Sequence, residues 1–425
     1  MVKMAKRILL CLLVFCTLSA NAMAADVPVI VQLGSLGNIL NVLNVLGGTL
    51  LDQVPGTKIY LLKLPSLPIV SSLTQTLLGI TSIEADKIVA VPGRSQTGVL
   101  TVGQTTAADW YKAQPELQRI RTTAAQAKSR GAGIVIADLN SSLDFAHPAL
   151  AGHLTGGYDF VGARAGYAGI LNQADASFLD QADASFLDQA DTGFLDQADA
   201  SFLDQADASF LDQTVVPVST IPAYAHGTLC AGILAGVAPA SKIMPLRVFD
   251  DAGHTDVFSV TKGIYYAVRN GARVINLSFG MSGSYTSIQN ALAFAASNHV
   301  VMVASAGNQN KQTPQFPASV SSVISVASVN HTDVKASFSN YGSTVYVTAP
   351  GVNIISAYPG GMYGMVSGTS FSAPMVAAEA ALIMAVKTTD PKTTVGAAVI
   401  NINAQNPLYL GKLGKGRVDI LSAVQ

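Results

Sequence analysis

The sequence predicts an α/β protein with a parallel sheet flanked by helices on both faces, preceded by a small α+β unit. Two observations indicate this class. From residue 107 onward, short runs rich in Val and Ile alternate with segments of helical periodicity, which is typical of a parallel sheet covered on both sides. The chain has 425 residues, of which 49% are hydrophobic and only 12% are charged, so it can bury a large core. The predicted strands of this region are 133–137, 242–248, 273–277, 300–304 and 323–327.

Residues 1–24 have the pattern of an export signal. Lys3, Lys6 and Arg7 give a basic start, an apolar stretch follows over residues 8–18, and small residues at 20–24 suit a cleavage site. The apolar stretch is shorter than the roughly 20 residues that span a bilayer. The sequence therefore predicts a secreted protein without a stable membrane anchor.

Residues 25–95 are predicted to form the small α+β unit, and the Gly-containing polar stretch 96–106 to be a linker. The main domain is then 107–425. Strand patterns at 27–33, 58–64 and 88–91 are separated by helical patterns at 36–46 and 69–78.

The charge balance and the cysteines exclude some classes of function and bond. The formal net charge of −1 gives no reason to expect a nucleic acid or an anionic membrane as a partner. Cys11 and Cys16 lie in the predicted signal, which leaves Cys230 as the single cysteine of the mature chain. No intramolecular disulfide is then expected.

An acidic repeat interrupts the main domain at residues 173–212. It consists of five copies of Gln-Ala-Asp-Ala-Ser-Phe-Leu-Asp, with Thr192-Gly193 as the only variation, and contains ten aspartates. The pattern favours a solvated low-complexity loop, although the Asp pairs could bind calcium. It does not match the EF-hand signature. Structural calcium is therefore possible without assigned ligands, no metal-ligand cluster is expected elsewhere, and no organic cofactor is predicted.

Two short motifs combine a reactive side chain with the start of a helix. Ser370 lies between Gly368-Thr369 and a helical run at 375–386, and His226-Gly227 opens a helical run at 229–234. A nucleophilic serine needs a tight turn that exposes its oxygen, and the positive end of a helix favours developing anions. Either motif alone would be weak evidence.

Together with their flanks, these motifs resemble the subtilisin (S8) family in order and spacing. The similar segments are the histidine block 226–239, the cleft strand 271–280, the segment 304–308 and residues 349–353, which lead into the serine block. The resemblance extends from residue 107 to the end. The His-Gly-Thr-x-Cys arrangement at 226–230 is similar to the proteinase K branch. Residues 25–95 are similar in pattern to the inhibitor-like prosegments of these proteases.

The resemblance implies a subtilisin-like fold and a secreted serine endopeptidase, made as a zymogen, that cleaves protein or peptide substrates. Ser370 would attack the peptide carbonyl and His226 would act as general base. Asn308 would donate to the oxyanion. The prosegment would be an intramolecular inhibitor. The walls of the main specificity pocket would be formed by Ser278, Phe279, Gly280, Ser305 and Gly307.

The third triad member is where the sequence departs from the family. The family places an Asp seven residues before a His-Pro pair, and here that position, counted back from His147, is Asn140. Asp138 lies two residues earlier, on the same face of the predicted strand. Three alternatives follow. Asp138 supplies the carboxylate through a local shift, Asn140 holds the histidine as an amide, or the protein is catalytically impaired and acts as a binding or surface protein.

Overall fold

The computed structural model of the chain describes residues 26–90, 97–100, 111–161, 164–165, 215–216, 225–250 and 252–425. Two compact units are present, Met1–Asp86 and Lys87–Gln425. The predicted export signal and the repeat insert lie outside the described residues.

The smaller unit is a four-stranded antiparallel sheet with two helices. Its elements are β1 (Val27–Leu33), α1 (Ile39–Leu46), β2 (Thr49–Gln53), β3 (Ile59–Leu64), α2 (Ser72–Leu78) and β4 (Ile80–Ala85). The strand order is β2-β3-β1-β4. Side chains of Asn38 and Ser71 cap the two helices, and Gly79 ends α2 in a left-handed conformation. Strands β1 and β3 were predicted, whereas β2 lacks an apolar pattern because no residue in it is fully buried.

The larger unit contains a ten-stranded, mostly parallel sheet, which confirms the predicted α/β class. From one edge to the other the strand order is β19-β20-β16-β15-β14-β13-β7-β11-β8-β9. These strands are β7 (Val135–Asn140), β8 (Tyr158–Asp159), β9 (Arg164–Ala165), β11 (Lys242–Arg247), β13 (Val274–Leu277), β14 (Val301–Ser305), β15 (Ile324–Val329), β16 (Val347–Pro350), β19 (Val399–Ile400) and β20 (Arg417–Val418). In the described part of this unit, six further strand segments lie outside that sheet: β5 (Ile88–Ala90), β6 (Thr97–Leu100), β10 (Val215–Val216), β12 (His254–Asp256), β17 (Ile354–Tyr358) and β18 (Met362–Val366).

Helices cover the sheet, and one of them runs through the core. The helices are α3 (Pro115–Arg119), α4 (Thr122–Gln126), α5 (His226–Val237), α6 (Val257–Arg269), α7 (Thr286–Ser297), α8 (Thr369–Val386), α9 (Pro391–Ala397) and α10 (Ile420–Val424). Every residue of α5, and every residue of α8 through Ile383, is buried. Among the described residues, α8 alone is long and apolar enough to cross a membrane, and its burial identifies it as a core helix.

Two segments before the main domain differ from their predicted roles. The strand predicted at 88–91 as the last of the small unit instead belongs to the larger unit, where β5 pairs antiparallel with β12. Part of the stretch predicted to be a linker, β6, pairs with Met365 and Val366 of β18. Sequence periodicity missed both pairings because their partners lie more than 150 residues away along the chain.

Glu379 is a carboxyl group in the apolar core of α8. Its side chain is fully buried, and neither carboxyl oxygen has a hydrogen-bond partner among the described residues. Burial, with a smaller contribution from the charge of Asp419, raises the pKa of Glu379 well above its ordinary value. Folding therefore favours the neutral form of this carboxyl group over the charged form.

We expect Glu379→Gln to remove a pH-dependent loss of stability. A raised pKa in the folded state contributes stability below the unfolded pKa of about 4.3, and this stability is lost as pH rises toward the folded pKa. Between the unfolded pKa and the folded pKa, the free energy of unfolding of the variant should rise relative to that of the native protein by up to about 1.4 kcal/mol per pH unit. Urea unfolding at pH 4 and pH 8 measures this difference. Equal differences between variant and native protein at the two pH values would contradict it.

Candidate active site

The residues singled out by sequence converge at the carboxyl ends of neighbouring strands. Asn140 ends β7, Ser278 follows β13 directly, and Ser305 ends β14. The helices α5 and α8 begin with His226 and Thr369. In parallel sheets, sites form at this edge because loops from several strands meet there.

His226 is held by the amide of Asn140. The Oδ1 of Asn140 lies 2.6 Å from the Nδ1 of His226, and both side chains are buried. The start of α5 approaches the end of β7 very closely, since a Cβ at Gly227 would lie 2.4 Å from the carbonyl oxygen of Ser142. Only glycine fits there, which explains the His-Gly sequence at this helix start.

Asp138 lies behind Asn140 in the same strand. Its two carboxylate oxygens are each 3.2 Å from the Nδ2 of Asn140, and its Oδ1 also accepts from the Nδ2 of Asn276 at 2.8 Å. Burial raises the pKa of Asp138 to about 6, against the opposing effect of the hydrogen bonds from Asn276 and Asn140. The structure thus brings both triad candidates to the site, with the oxygen of Asn140 against the imidazole.

Ser370 lies in the first turn of α8, at the rim of the core. It is 9% exposed, and its carbonyl oxygen accepts from the Oγ of Ser278 at 2.8 Å and from the Sγ of Cys230 at 3.5 Å. The helix was predicted to begin at residue 375 but begins at Thr369. The prediction was wrong because the helix continues through Pro374, which lies inside it. The carbonyl oxygen of Ser370, to which an N–H at residue 374 would donate, accepts from Ser278 and Cys230 instead.

Asn308 caps the helix that carries Ser370. Its Oδ1 accepts from the backbone N–H of Thr369 at 2.9 Å and from the Oγ1 of Thr369 at 2.8 Å. Because this oxygen is occupied by two donors, the orientation of the amide is fixed. Its Nδ2 would be 3.3 Å from a Cβ at Gly368, so the donor end of the amide lies beside the turn before Ser370.

The predicted pocket walls lie on two sides of Gln315, a residue that the sequence analysis did not identify. A Cβ at Gly280 would lie 2.0 Å from the Oε1 of Gln315, and a Cβ at Gly307 would lie 2.8 Å from the same atom. Gly307 also has a positive φ of 108°. Ser278, Phe279 and Ser305 are buried at the ends of their strands. No signal in the polar loop around Gln315 could have identified it.

Asn276 is a second residue that the sequence did not reveal. Its Nδ2 donates to Asp138 and, at 2.9 Å, to the Oγ of Ser278. A hydrogen-bonded chain therefore runs from the carbonyl of Ser370 through Ser278, Asn276, Asp138 and Asn140 to His226. An asparagine inside a buried strand was the available clue, because such a side chain needs partners.

In the part of the chain that the structure describes, no three His, Cys, Asp or Glu side chains come together as a metal site. Cys230 is a fully buried thiol that is not part of a disulfide, and its Sγ lies 3.9 Å from the Nδ1 of His226.

The model of the Subtilase family (Peptidase S8) matches residues 131–416. Thermitase from Thermoactinomyces vulgaris is 39% identical over 217 residues, which cover 47% of this chain and 75% of thermitase. Subtilisin from Bacillus pumilus is 36% identical over 229 residues, 49% of this chain and 82% of that protein. For a thermophilic serine proteinase from Bacillus sp. (strain AK1), 42% identity extends over 168 residues, 37% of this chain and 42% of the relative.

A solved structure is similar in fold. The crystal structure of fervidolysin from Fervidobacterium pennivorans, a keratinolytic enzyme related to subtilisin, superposes with a TM-score of 0.68. The match covers 96% of this chain and 62% of fervidolysin at 22% sequence identity.

Proposed function

Because the chain belongs to the subtilase family of serine endopeptidases, we propose that it is a secreted protease in which Asn140 replaces the triad carboxylate. Ser370 is the nucleophile, His226 the general base, and Asn308 the side-chain donor to the oxyanion. The observation that carries this proposal is the contact of 2.6 Å between Asn140 Oδ1 and His226 Nδ1.

The proposed reaction follows from these contacts. With its proton on Nδ1, donated to the oxygen of Asn140, the imidazole has its basic lone pair on Nε2, and we expect this nitrogen to take the proton of Ser370. The Ser370 oxygen then bonds to the peptide carbonyl, whose oxygen becomes an anion near the Nδ2 of Asn308 and the N–H of Ser370. His226 returns the proton to the leaving amine, and water hydrolyses the acyl-enzyme by the same route. No organic cofactor has a role in these steps.

We also propose that the leading unit is an inhibitory prosegment. Strand β5, which follows that unit directly, pairs antiparallel with β12. The loop before β12 contacts the cleft, since the rings of Phe249 and Phe279 lie 5.0 Å apart. An extended chain added to a strand edge in this way is a common mode of peptide binding. Processing should give a mature chain that starts between about residues 92 and 123.

A serine-reactive phosphonate tests the proposal. The purified mature chain should be labelled at Ser370, as located by peptide mass spectrometry, and should cleave a quenched-fluorescent peptide at a rate proportional to the unlabelled fraction. Absence of both labelling and cleavage would overturn the proposal. It would favour the alternative of a catalytically impaired binding protein, which the amide of Asn140 in place of the triad carboxylate supports.

Cys230 gives a further expected result. A mercury compound bound to its Sγ should displace the buried imidazole of His226, whose Nδ1 lies 3.9 Å away. A misplacement of about 1 Å can lower the rate about 10²-fold. We expect mercurials to inhibit the native enzyme, while Cys230→Ala stays active and is resistant. Peptide hydrolysis with and without reagent measures this. If Cys230→Ala abolished activity, the thiol would take part in the chemistry and the assignment of the nucleophile would be wrong.

A further inference from the structure

An asparagine beside a catalytic histidine has two possible orientations with opposite consequences. With its oxygen toward Nδ1, it selects the tautomer that carries the proton there and leaves Nε2 able to accept a proton. With its NH₂ toward Nδ1, it selects the opposite tautomer, which cannot act as a base at Nε2. In trypsin-type proteases, Asp to Asn at this position lowers kcat about 10⁴-fold for this reason. A functional amide must therefore be held in one orientation.

Two neighbours of Asn140 favour the productive orientation. An ionised carboxylate can only accept hydrogen bonds, so the two oxygens of Asp138, each 3.2 Å away, require the NH₂ of Asn140 on their side. On the other side, the backbone N–H of Ser141 donates to Asn140 Oδ1 at 2.9 Å. A flipped amide would place oxygen against carboxylate and NH₂ against N–H, which leaves buried groups unpaired.

Asp138 is itself held in place. Asn276 donates to its Oδ1 at 2.8 Å and is anchored in turn to Ser278. The carboxyl is 3% exposed. Because burial raises its pKa only to about 6, the group is ionised in an assay at pH 8.

We propose that Asp138 is a positioning residue that locks the amide of Asn140 with its oxygen toward His226. The inference rests on the proposed function and explains how an enzyme of this family works with an amide in the third position. The carboxylate of Asp138 acts on the imidazole through Asn140. In the family, the aspartate that takes the position of Asn140 contacts the histidine directly.

The test uses three variants at these two positions. Asp138→Asn is isosteric but no longer forces the amide, so we expect kcat at pH 8 to fall at least about tenfold, toward the limit of about 10⁴-fold, with KM nearly unchanged. Asn140→Asp alone puts two carboxylates in contact, which favours protonation of one of them and gives no simple gain. In the double variant Asp138→Asn/Asn140→Asp, the amide at 138 donates to the carboxylate at 140, and Asn276 donates to the amide oxygen.

Rescue decides between positioning and a merely structural role. We expect the double variant to recover at least the native kcat, because the carboxylate then contacts His226 directly. If Asp138 only supported the fold, the loss in Asp138→Asn would persist in the double variant. A native kcat in Asp138→Asn, or a double variant as slow as the single one, would overturn the proposal.

Two controls keep the result interpretable. Thermal unfolding of each variant excludes a folding defect, and ¹⁵N NMR of the imidazole reports which nitrogen of His226 carries the proton. The Nδ1–H tautomer should dominate in the native enzyme and be mixed with the other tautomer in Asp138→Asn. Phosphonate labelling distinguishes failure of the proposed function from failure of the role assigned to Asp138. An unlabelled native enzyme contradicts the proposed function, whereas equal labelling rates of native and Asp138→Asn enzymes contradict only the role of Asp138.

Discussion

We expect the Ser370→Ala variant to accumulate at full precursor length and to lose essentially all peptidase activity. Removing the hydroxyl removes the only group that can form the acyl-enzyme in the proposed reaction, and the equivalent loss in subtilisin costs about 10⁶ in kcat. Intact mass and peptide hydrolysis of protein purified from a protease-free host measure both effects. Maturation of Ser370→Ala in such a preparation would contradict autocatalytic processing by Ser370.

Ser372→Ala is the matched control, because this second buried serine of α8 has purely structural contacts. Its Oγ lies 2.7 Å from the Oγ of Ser328 and 2.9 Å from the carbonyl oxygen of Pro350. Loss of these hydrogen bonds should cost about 1 kcal/mol of stability while the variant still matures and is labelled. A Ser372→Ala variant that failed to mature although folded would show that the effect is not specific to Ser370.

We expect Asn308→Ala to lower kcat about 10²–10³-fold with little change in KM, as removal of the corresponding donor does in subtilisin. The donor acts on an oxygen that becomes anionic only during the reaction, so the loss appears in kcat. Steady-state kinetics on a peptide substrate measure the split. An unchanged kcat would remove Asn308 from the proposed machinery.

Asn308→Asp separates catalysis from helix capping. The carboxylate can still accept from the N–H and Oγ1 of Thr369, as Asn308 Oδ1 does at 2.9 and 2.8 Å, but it has no N–H to donate. We expect it to lose kcat at least as strongly as Asn308→Ala. Only the alanine variant should also lose stability, by about 1 kcal/mol, because it removes the cap of α8.

The parallel core of the fold could be predicted from sequence because its strands are buried on both faces. Strand β15, for example, has six buried residues in succession, and such runs are distinctive. The hairpin β17–β18 was missed, since its residues do not alternate in polarity: both strands are largely buried, and β17 packs against α5. The subtilisin-like fold implied by the resemblance is confirmed by the superposition on fervidolysin.

The site could be predicted where a short motif fixes both the residue and its backbone. Ser370, His226 and Asn308 each belong to such a motif, and the structure brings all three segments to one edge of the sheet. The choice between Asp138 and Asn140 could not be made from sequence. Both side chains lie on one face of β7, so the alternation of a strand places both of them toward the site. Only the structure distinguishes them, because Asn140 contacts His226 whereas Asp138 contacts Asn276.

The position of Ser370 on the central buried helix also affects how the protease survives its own activity. Autolysis needs a locally unfolded segment as substrate and an intact active site as catalyst. Since α8 packs on α5 and on the strands beneath it, a fluctuation that opens this core also displaces Ser370 from His226. A molecule whose core opens is therefore inactive while its core is accessible to proteolysis. Self-digestion of that core must occur between molecules, so its rate should rise with the square of the protease concentration.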